Sequence, residues 1–146
     1  MKVREAALDD APAISGLVRE LGYAGVLTAT TERLARLLRS DADAVFVAED
    51  AGCVVGWVQA HASVALESGF RTEIVGLVVG AQDRRRGWGE RLVAVAEEWG
   101  RARGAEGIVV RSDVRRVESH EFYPALGYEK AKVQAVYCKS LKPAAR

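Results

Sequence analysis

The sequence LVVGAQDRRRGWGERL, at residues 77–92, determines the fold that we predict for this chain. It begins as an apolar run, passes through a short polar turn into Arg84, Arg85 and Arg86, and ends with two glycines before an amphipathic stretch. This order is typical of a β-strand, a loop and the first turn of a helix. Such a loop presents main-chain N–H groups to an anion, so the segment predicts a phosphate-binding turn.

The glycines and arginines suit a phosphate for different reasons. Gly87 and Gly89 have no side chain to keep an anion from the main chain, and arginine adds a permanent charge on a planar group. The Walker phosphate loop is excluded because Glu90 and Arg91 stand where it needs Lys and Ser or Thr. The dinucleotide motif GxGxxG is excluded because Leu92 replaces its third glycine. Taken alone, the segment also fits a glycine-containing helix start with solvated arginines.

Length and composition favour a single globular domain over residues 1–146. The chain has 146 residues, of which 49% are hydrophobic, and a formal net charge of +1. So small a charge gives no general attraction for nucleic acid, and no apolar run approaches the roughly 18 residues that span a membrane. The first residues lack the apolar segment of a secretory signal, which favours a cytoplasmic protein.

Cysteine and histidine placement argues against a metal site. Cys53 and Cys138 lie in apolar, strand-like runs and are expected to be buried, reduced thiols. His61 and His120 are far apart, and no spacing typical of metal ligands occurs. We interpret His61, at the end of a predicted strand, as a polar residue at a sheet edge in preference to a catalytic base.

Hydrophobic periodicity predicts the element order β-α-α-β-β-β-α-β-α-β-β. A first strand and two amphipathic helices precede a β-hairpin and a loop at residues 63–71. Strand, helix and strand then form a βαβ unit, whose strands should be parallel. The predicted elements after the first two helices are strands 44–49, 53–61 and 72–79, helix 89–103, strand 107–111, helix 118–126 and strands 128–134 and 135–141. This order predicts an α/β (α+β) fold, a mixed central sheet of six to seven strands flanked by four helices.

Three motifs occur in series along the chain. They are DAGCVVGW at residues 50–57, RRRGWG at residues 84–89 and HEFYPALGY at residues 120–128. They resemble, in order, a hairpin, the Gln/Arg-x-x-Gly-x-Gly/Ala signature and the fourth helix of the GNAT superfamily of N-acetyltransferases. The resemblance covers nearly the whole chain and implies the acyl-CoA N-acyltransferase fold.

This resemblance implies acetyl-coenzyme A (acetyl-CoA) as the acetyl donor and no metal. Main-chain N–H groups of the arginine-glycine segment would hold the pyrophosphate, and the preceding strand would pair with the pantetheine arm. Family members often carry a bulge in this strand that makes room for the thioester, and Gly76 or Gly80 would permit that distortion. The implied cofactor-binding residues are Leu77, Val78, Val79, Arg84, Arg85, Arg86, Gly87, Trp88, Gly89, Glu90, Asp113, Ser119 and Phe122.

Tyr123 and Glu73 are the catalytic residues that the resemblance implies. Tyr123 matches a tyrosine that protonates the departing thiolate, a task that suits a phenol with a pKa of about 10. The alternative is that Tyr123 only packs beside Phe122. Glu73 matches a glutamate that helps to deprotonate the attacking ammonium, and the alternatives are that it binds the cationic amine or faces solvent.

Asp113 departs from the family's pattern. Many relatives have Asn after the fifth strand, where its amide contacts pantetheine, whereas an ionised aspartate cannot donate a hydrogen bond. Ser119 offers a hydroxyl nearby in the sequence.

We therefore expect an N-acetyltransferase in which a primary amine attacks acetyl-CoA directly in a ternary complex. The acceptor stays open among a protein amine, an aminoglycoside or other polyamine, and an amino-acid-like metabolite, and residues 22–31 and 63–71 are expected to select it. A non-catalytic CoA-binding regulatory or structural module is the alternative from another class. Because terminal strands in such folds often pair across a two-fold axis, a homodimer is also expected, with no nucleic-acid or membrane partner.

Overall fold

The computed structural model describes residues 2–112 and 115–143, and its contacts divide the chain into two compact units. Residues 1–111 form the first unit and residues 112–146 form the second. The first unit contains a mixed sheet and three α-helices, and the second contains one further α-helix. The single domain over residues 1–146 stays a prediction.

The helices and strands follow the predicted order as far as the last helix. The first unit contains β1 (Lys2–Glu5), α1 (Ala11–Glu20), α2 (Leu27–Leu38), β2 (Asp43–Asp50), β3 (Cys53–Ala65), β4 (Gly69–Val79), α3 (Trp88–Ala102) and β5 (Gly107–Val110). The second unit contains α4 (Val117–Ala125). The predicted α/β class and the four helices are confirmed.

Five strands form one sheet in the order β1-β2-β3-β4-β5. Neighbours among the first four are antiparallel, and β5 is parallel to β4. Because α3 connects this parallel pair, the predicted βαβ unit is confirmed. The sheet is therefore mixed, with the parallel strand at one edge.

The two faces of the sheet pack against different helices. On one face, Ile14 of α1 and Leu34 of α2 form a buried cluster with Val45 and Val47 of β2. On the other face, α3 approaches β4 so closely that a Cβ atom at its Gly100 would overlap the Thr72 side chain. Apolar positions of the helices thus pack against both faces of the sheet.

The two predicted strands within residues 128–141 are wrong. Residues 128–143 contain no strand, and Val133, Val136, Tyr137 and Leu141 expose 61% to 93% of their surface. A lone two-stranded hairpin is marginally stable in water, so an alternating pattern is not sufficient to form one. The sheet within residues 2–112 and 115–143 consequently has five strands rather than six to seven.

Two local predictions also fail. The loop predicted at residues 63–71 is mostly a hairpin, since β3 continues to Ala65 and β4 begins at Gly69. Cys53 and Cys138 are free and exposed rather than buried. In the described part of the chain, no helix has the length and apolar character needed to cross a membrane.

Candidate active site

The turn between β4 and α3 presents a run of main-chain N–H groups. Arg85, at a φ of 64°, and Gly87, at a φ of 83°, both adopt the left-handed conformation, and Gly87 directly precedes α3. No hydrogen bond within residues 2–112 and 115–143 uses the N–H groups of residues 84–90 as donors. Left-handed residues and a helix N-terminus both make N–H groups converge, so this turn can bind an anion.

The three arginines of this turn have different surroundings. Arg86 donates to the Asp50 carboxylate at 3.2 Å and to the Asp83 carboxylate at 3.3 Å. Arg84 lies against the last carbonyl of β4, with its Nε 3.4 Å from the Val79 oxygen. The exposed Arg85 side chain has no polar partner within residues 2–112 and 115–143. Arg85 is therefore the arginine available to a phosphate, whereas Arg86 links the turn to the carboxylates of Asp50 and Asp83.

Trp88 anchors the start of α3. Only 1% of its surface is exposed, and the Arg91 guanidinium lies 4.9 Å from its ring centroid. With its side chain in the core, Trp88 can offer a ligand only its main-chain N–H. The neighbouring Gly89 and Glu90 are half-buried and exposed, respectively.

A bulge interrupts β4 at Val75. Ala60 of β3 pairs with Ile74 and Gln59 pairs with Gly76, which leaves Val75 as the extra residue. A Cβ atom at Gly76 would lie 2.8 Å from the Trp57 ring, so the strand needs glycine beside the bulge. Gly76 was one of the two glycines expected to permit such a distortion.

Beyond this bulge, β4 has an open edge. Its pairing with β5 runs from Arg71 to Ile74 and then stops, although β4 continues to Val79. Leu77, Val78 and Val79 therefore have no β5 partner for their main-chain groups. An extended chain carrying amide groups can pair with such an edge as an added strand.

Glu73 lies on β4 shortly before the bulge and is half-buried. Its Oε1 atom is 2.5 Å from Nη1 of Arg111, which follows β5. Across β3, the register places His61 opposite Glu73 and Asp43 opposite His61. The His61 Nδ1 atom lies 2.8 Å from Oδ1 of Asp43. Sequence reasoning missed Arg111 and Asp43, because only the register of the strands brings them to this place.

Tyr123 lies on α4 in the second unit. Its ring makes edge-to-face contacts with Phe122, at a centroid distance of 4.9 Å, and with Tyr128, at 5.7 Å. Burial raises the pKa of the Tyr123 phenol, and the nearby charge of Arg116 opposes that rise. The phenol is therefore protonated at neutral pH.

The remaining predicted residues are also in the second unit. Ser119 and Phe122 lie on α4 with Tyr123, half-buried. Asp113 lies outside the described residues. Glu73 and the β4–α3 turn thus both belong to the first unit, at different points along β4 and the segment that follows it, whereas Ser119, Phe122 and Tyr123 share α4 in the second unit.

No cluster of His, Cys, Asp and Glu side chains that could hold a metal ion occurs in the part of the chain that the structure describes. The hydrogen-bond donors of the β4–α3 turn and the open edge of β4 are instead suited to an extended, anionic organic ligand.

Comparison with known proteins identifies the family. The sequence profile of the acetyltransferase (GNAT) family matches residues 11–128. The chain belongs to this family. The predicted acyltransferase class is thereby confirmed.

Aminoglycoside acetyltransferases are among the relatives of this GNAT protein. Aminoglycoside N(6')-acetyltransferase type 1 from Serratia marcescens is 29% identical over 66 residues, which are 45% of this chain and 45% of that protein. The match therefore spans less than half of the relative's length.

Solved structures share the fold over nearly the whole chain. The aminoglycoside N-acetyltransferase AAC(6')-Iy, in complex with the bisubstrate analogue CoA-S-monomethyl-acetylneamine, has a TM-score of 0.84 at 22% identity, covering 95% of this chain and 97% of its own. Glucosamine-6-phosphate N-acetyltransferase from Arabidopsis thaliana has a TM-score of 0.82 at 17% identity, covering 95% and 98%. These similarities confirm the predicted fold.

Proposed function

We propose that this GNAT protein transfers the acetyl group of acetyl-CoA to a primary amine by direct attack in a ternary complex. The observation that carries this proposal is the continuity of β4 with the turn that follows it. A bulge at Val75, an open edge over residues 77–79 and the N–H groups of residues 84–90, which donate to no group in the described part of the chain, occur in that order. A thioester, a pantetheine arm and a diphosphate follow one another in the same order along acetyl-CoA.

The diphosphate would be bound mainly by main-chain N–H groups of residues 84–90. Arg85 would add its unpaired guanidinium, while Arg86 keeps its carboxylate partners and holds the turn in shape. Trp88 would contribute its N–H alone, because its ring is buried. This division of tasks makes the backbone conformation of the turn the main determinant of cofactor affinity.

The pantetheine arm and the thioester would lie along β4. Main-chain groups of residues 77–79 would pair with the pantetheine amides. A main-chain N–H at the bulge would donate to the thioester carbonyl, whose oxygen gains negative charge during attack. Acetyl-CoA supplies the activated acetyl group.

Tyr123 would protonate the departing sulfur. Its raised pKa keeps the phenol protonated across the neutral range, which a proton donor requires. Ser119 and Phe122 on the same helix would contact the pantetheine arm. The alternative for Tyr123 is packing alone against Phe122 and Tyr128.

We propose a cationic small-molecule amine of the aminoglycoside or polyamine class as the acceptor. The carboxylates of Glu73 and Asp43 lie on one face of the sheet, where they favour a cation. The similarity to aminoglycoside acetyltransferases supports the same class of acceptor. A protein amine or an amino-acid-like metabolite would present fewer positive charges to this face.

An amine panel tests the proposal. Release of free thiol from acetyl-CoA is measured with kanamycin, spermidine, amino acids and a lysine-containing peptide, and titration calorimetry measures acetyl-CoA binding separately. Turnover with kanamycin or spermidine is the expected result. Tight acetyl-CoA binding without turnover on any amine would favour the non-catalytic module, and absence of binding would contradict both functions.

We also propose that the protein forms a homodimer. The exposed apolar side chains within residues 128–143, such as Tyr137 and Leu141, support a homodimer that would cover them. Light scattering of the purified chain measures the mass directly. The cytoplasmic location stays a prediction.

A further inference from the structure

Three polar side chains lie in a line across three strands. β3 has a partner on both sides, and the register places His61 between Asp43 of β2 and Glu73 of β4. Opposed residues of antiparallel strands point to the same face, with Cβ atoms roughly 4.5–5.5 Å apart. The interpretation of His61 as a residue at a sheet edge is therefore wrong, since it stands between two carboxylates.

Asp43 determines which nitrogen of His61 carries the proton. Its Oδ1 atom lies 2.8 Å from Nδ1 of His61, and its Oδ2 atom accepts from the Ser40 hydroxyl at 2.7 Å. Because an ionised carboxylate only accepts, Nδ1 must donate, which leaves a lone pair on Nε2 of the neutral ring. Nε2 makes no hydrogen bond within residues 2–112 and 115–143.

The side chains of His61 and Asp43 differ in their solvent exposure. The His61 side chain is 41% exposed, whereas the Asp43 side chain is 14% exposed. A substrate can therefore reach His61 while Asp43 stays behind it. This is the arrangement of a base with its orienting carboxylate.

Glu73 already holds a cation in this structure. Its carboxylate pairs with Arg111, and both side chains are partly exposed, at 30% and 54%. Such a pair exchanges its partner at little cost, so an acceptor ammonium can replace the guanidinium. An imidazole is also in general a stronger base toward an ammonium than a carboxylate is.

We infer that His61 is the general base of the transfer, that Asp43 positions it, and that Glu73 binds the acceptor ammonium. The inference rests on the proposed function. The sequence left open whether Glu73 deprotonates the amine or binds it, and the inference gives the first task to His61 and the second to Glu73.

In the proposed transfer, a carbon–nitrogen bond replaces the carbon–sulfur bond of the thioester. An N–H bond of the ammonium breaks, and its proton moves to Nε2 of His61 and from there to solvent. The amine nitrogen then bonds to the acetyl carbon, and the carbon–sulfur bond breaks. The nitrogen loses a second proton, and the sulfur gains one, for which Tyr123 is the proposed donor. One proton is released for each thioester consumed.

Steady-state kinetics with kanamycin and spermidine separate the two tasks. His61→Gln is expected to lower kcat by about 100-fold, with the KM for the amine within about twofold of wild type, because only the base is lost. Glu73→Gln is expected to raise the KM for the amine by about tenfold, with a smaller change in kcat. Asp43→Asn is expected to lower kcat by about tenfold, because its amide can donate to Nδ1 and so favours the wrong tautomer.

Chemical rescue distinguishes a base from a structural side chain. Added imidazole is expected to restore part of the activity of His61→Ala, in proportion to its concentration. The matched control is His120→Gln, which changes the other histidine of the chain, an exposed residue on α4, and is expected to keep wild-type kinetics. Unchanged acetyl-CoA affinity by calorimetry shows that each His61 variant is folded.

Two results would overturn the assignment of the base: a wild-type kcat in His61→Gln, or no response of His61→Ala to imidazole. A wild-type protein that acetylates neither kanamycin nor spermidine would instead reject the proposed acceptor class, and the inference with it. The two failures are distinguishable because the second appears before any residue is changed.

Discussion

The cofactor side and the acceptor side of the candidate site are built from different parts of the chain. The β4–α3 turn offers main-chain N–H groups, which every residue except proline possesses, in a conformation fixed by Arg85 and Gly87. The row of Asp43, His61 and Glu73 offers side chains that only those residue types provide. Cofactor binding therefore depends on φ angles, whereas acceptor chemistry depends on side-chain identity.

Gly87→Val should disrupt the cofactor side and should have the largest effect on acetyl-CoA affinity. A β-branched residue at a φ of 83° is strained by about 2 kcal/mol or more, and the turn must change shape to relieve it. Acetyl-CoA affinity should fall at least about 30-fold, which corresponds to about 2 kcal/mol. Titration calorimetry measures the affinity, and chemical denaturation measures the stability.

Gly104→Val is the matched control for that variant. Gly104 has the same φ of 83° just beyond the other end of α3, and an added Cβ atom at either glycine meets no atom of the described residues within 4 Å. Both variants should lose similar stability, but only Gly87→Val should lose affinity. Equal affinities in the two variants would contradict the role of the β4–α3 turn.

Tyr123→Phe should lower kcat by about tenfold or more and leave acetyl-CoA affinity nearly unchanged. The substitution keeps the ring contacts with Phe122 and Tyr128 and removes only the proton donor. In the wild-type protein, any alkaline loss of kcat caused by this phenol should lie above pH 10.0, because its pKa is raised from that value. A kcat equal to that of wild type, with chemistry rate-limiting, would leave Tyr123 with packing alone.

Gly76→Ala should change the shape of β4 without changing any charge. The new methyl group would lie 2.8 Å from the Trp57 ring, and such overpacking costs about 1–3 kcal/mol. Thermal unfolding measures the loss. Gly16→Ala in α1 is the control, since its methyl group meets only the Arg19 side chain, at 3.8 Å, and should stabilise the helix by about 0.5–1 kcal/mol. A Gly76→Ala protein as stable as wild type would show that β4 does not need glycine beside its bulge.

Arg85→Gly should have the smallest effect. Glycine relieves the positive φ of 64° but adds freedom to the unfolded chain, so stability should change by less than about 1 kcal/mol. Acetyl-CoA affinity should fall about threefold to tenfold, because the unpaired guanidinium is lost, and it should become less sensitive to salt. Calorimetry at two ionic strengths measures the affinity and its salt dependence. A salt dependence equal to that of wild type would argue against a phosphate contact by Arg85.

Local sequence was sufficient to predict most of the fold. The apolar strand, the two glycines and the amphipathic stretch around residues 77–103 predicted the βαβ unit, and the stop signal at Gly127 predicted where α4 ends. These elements are determined by near neighbours in the chain, for which spacing and capping rules are informative. The roles assigned to the side chains of this segment stay predictions.

Pairing between distant residues could not be predicted in the same way. The bulge at Val75 and the approach of Asp43 to His61 both depend on which residue faces which across β3. A register shift of one residue would move every side chain to the opposite face, and no local pattern fixes that choice. The failed strands within residues 128–141 show the converse, because no strand within residues 2–112 and 115–143 pairs with the alternating apolar residues there.

The exposed thiol of Cys53 gives a spectroscopic reporter for the phosphate turn. Cys53 pairs in register with Asp50, whose carboxylate holds Arg86 at 3.2 Å. In a Cys138→Ser variant, a maleimide fluorophore would label Cys53, which lies opposite Asp50 in the hairpin of β2 and β3. Its emission in a stopped-flow instrument would then follow the arrival and departure of acetyl-CoA in real time, independently of whether any amine is present.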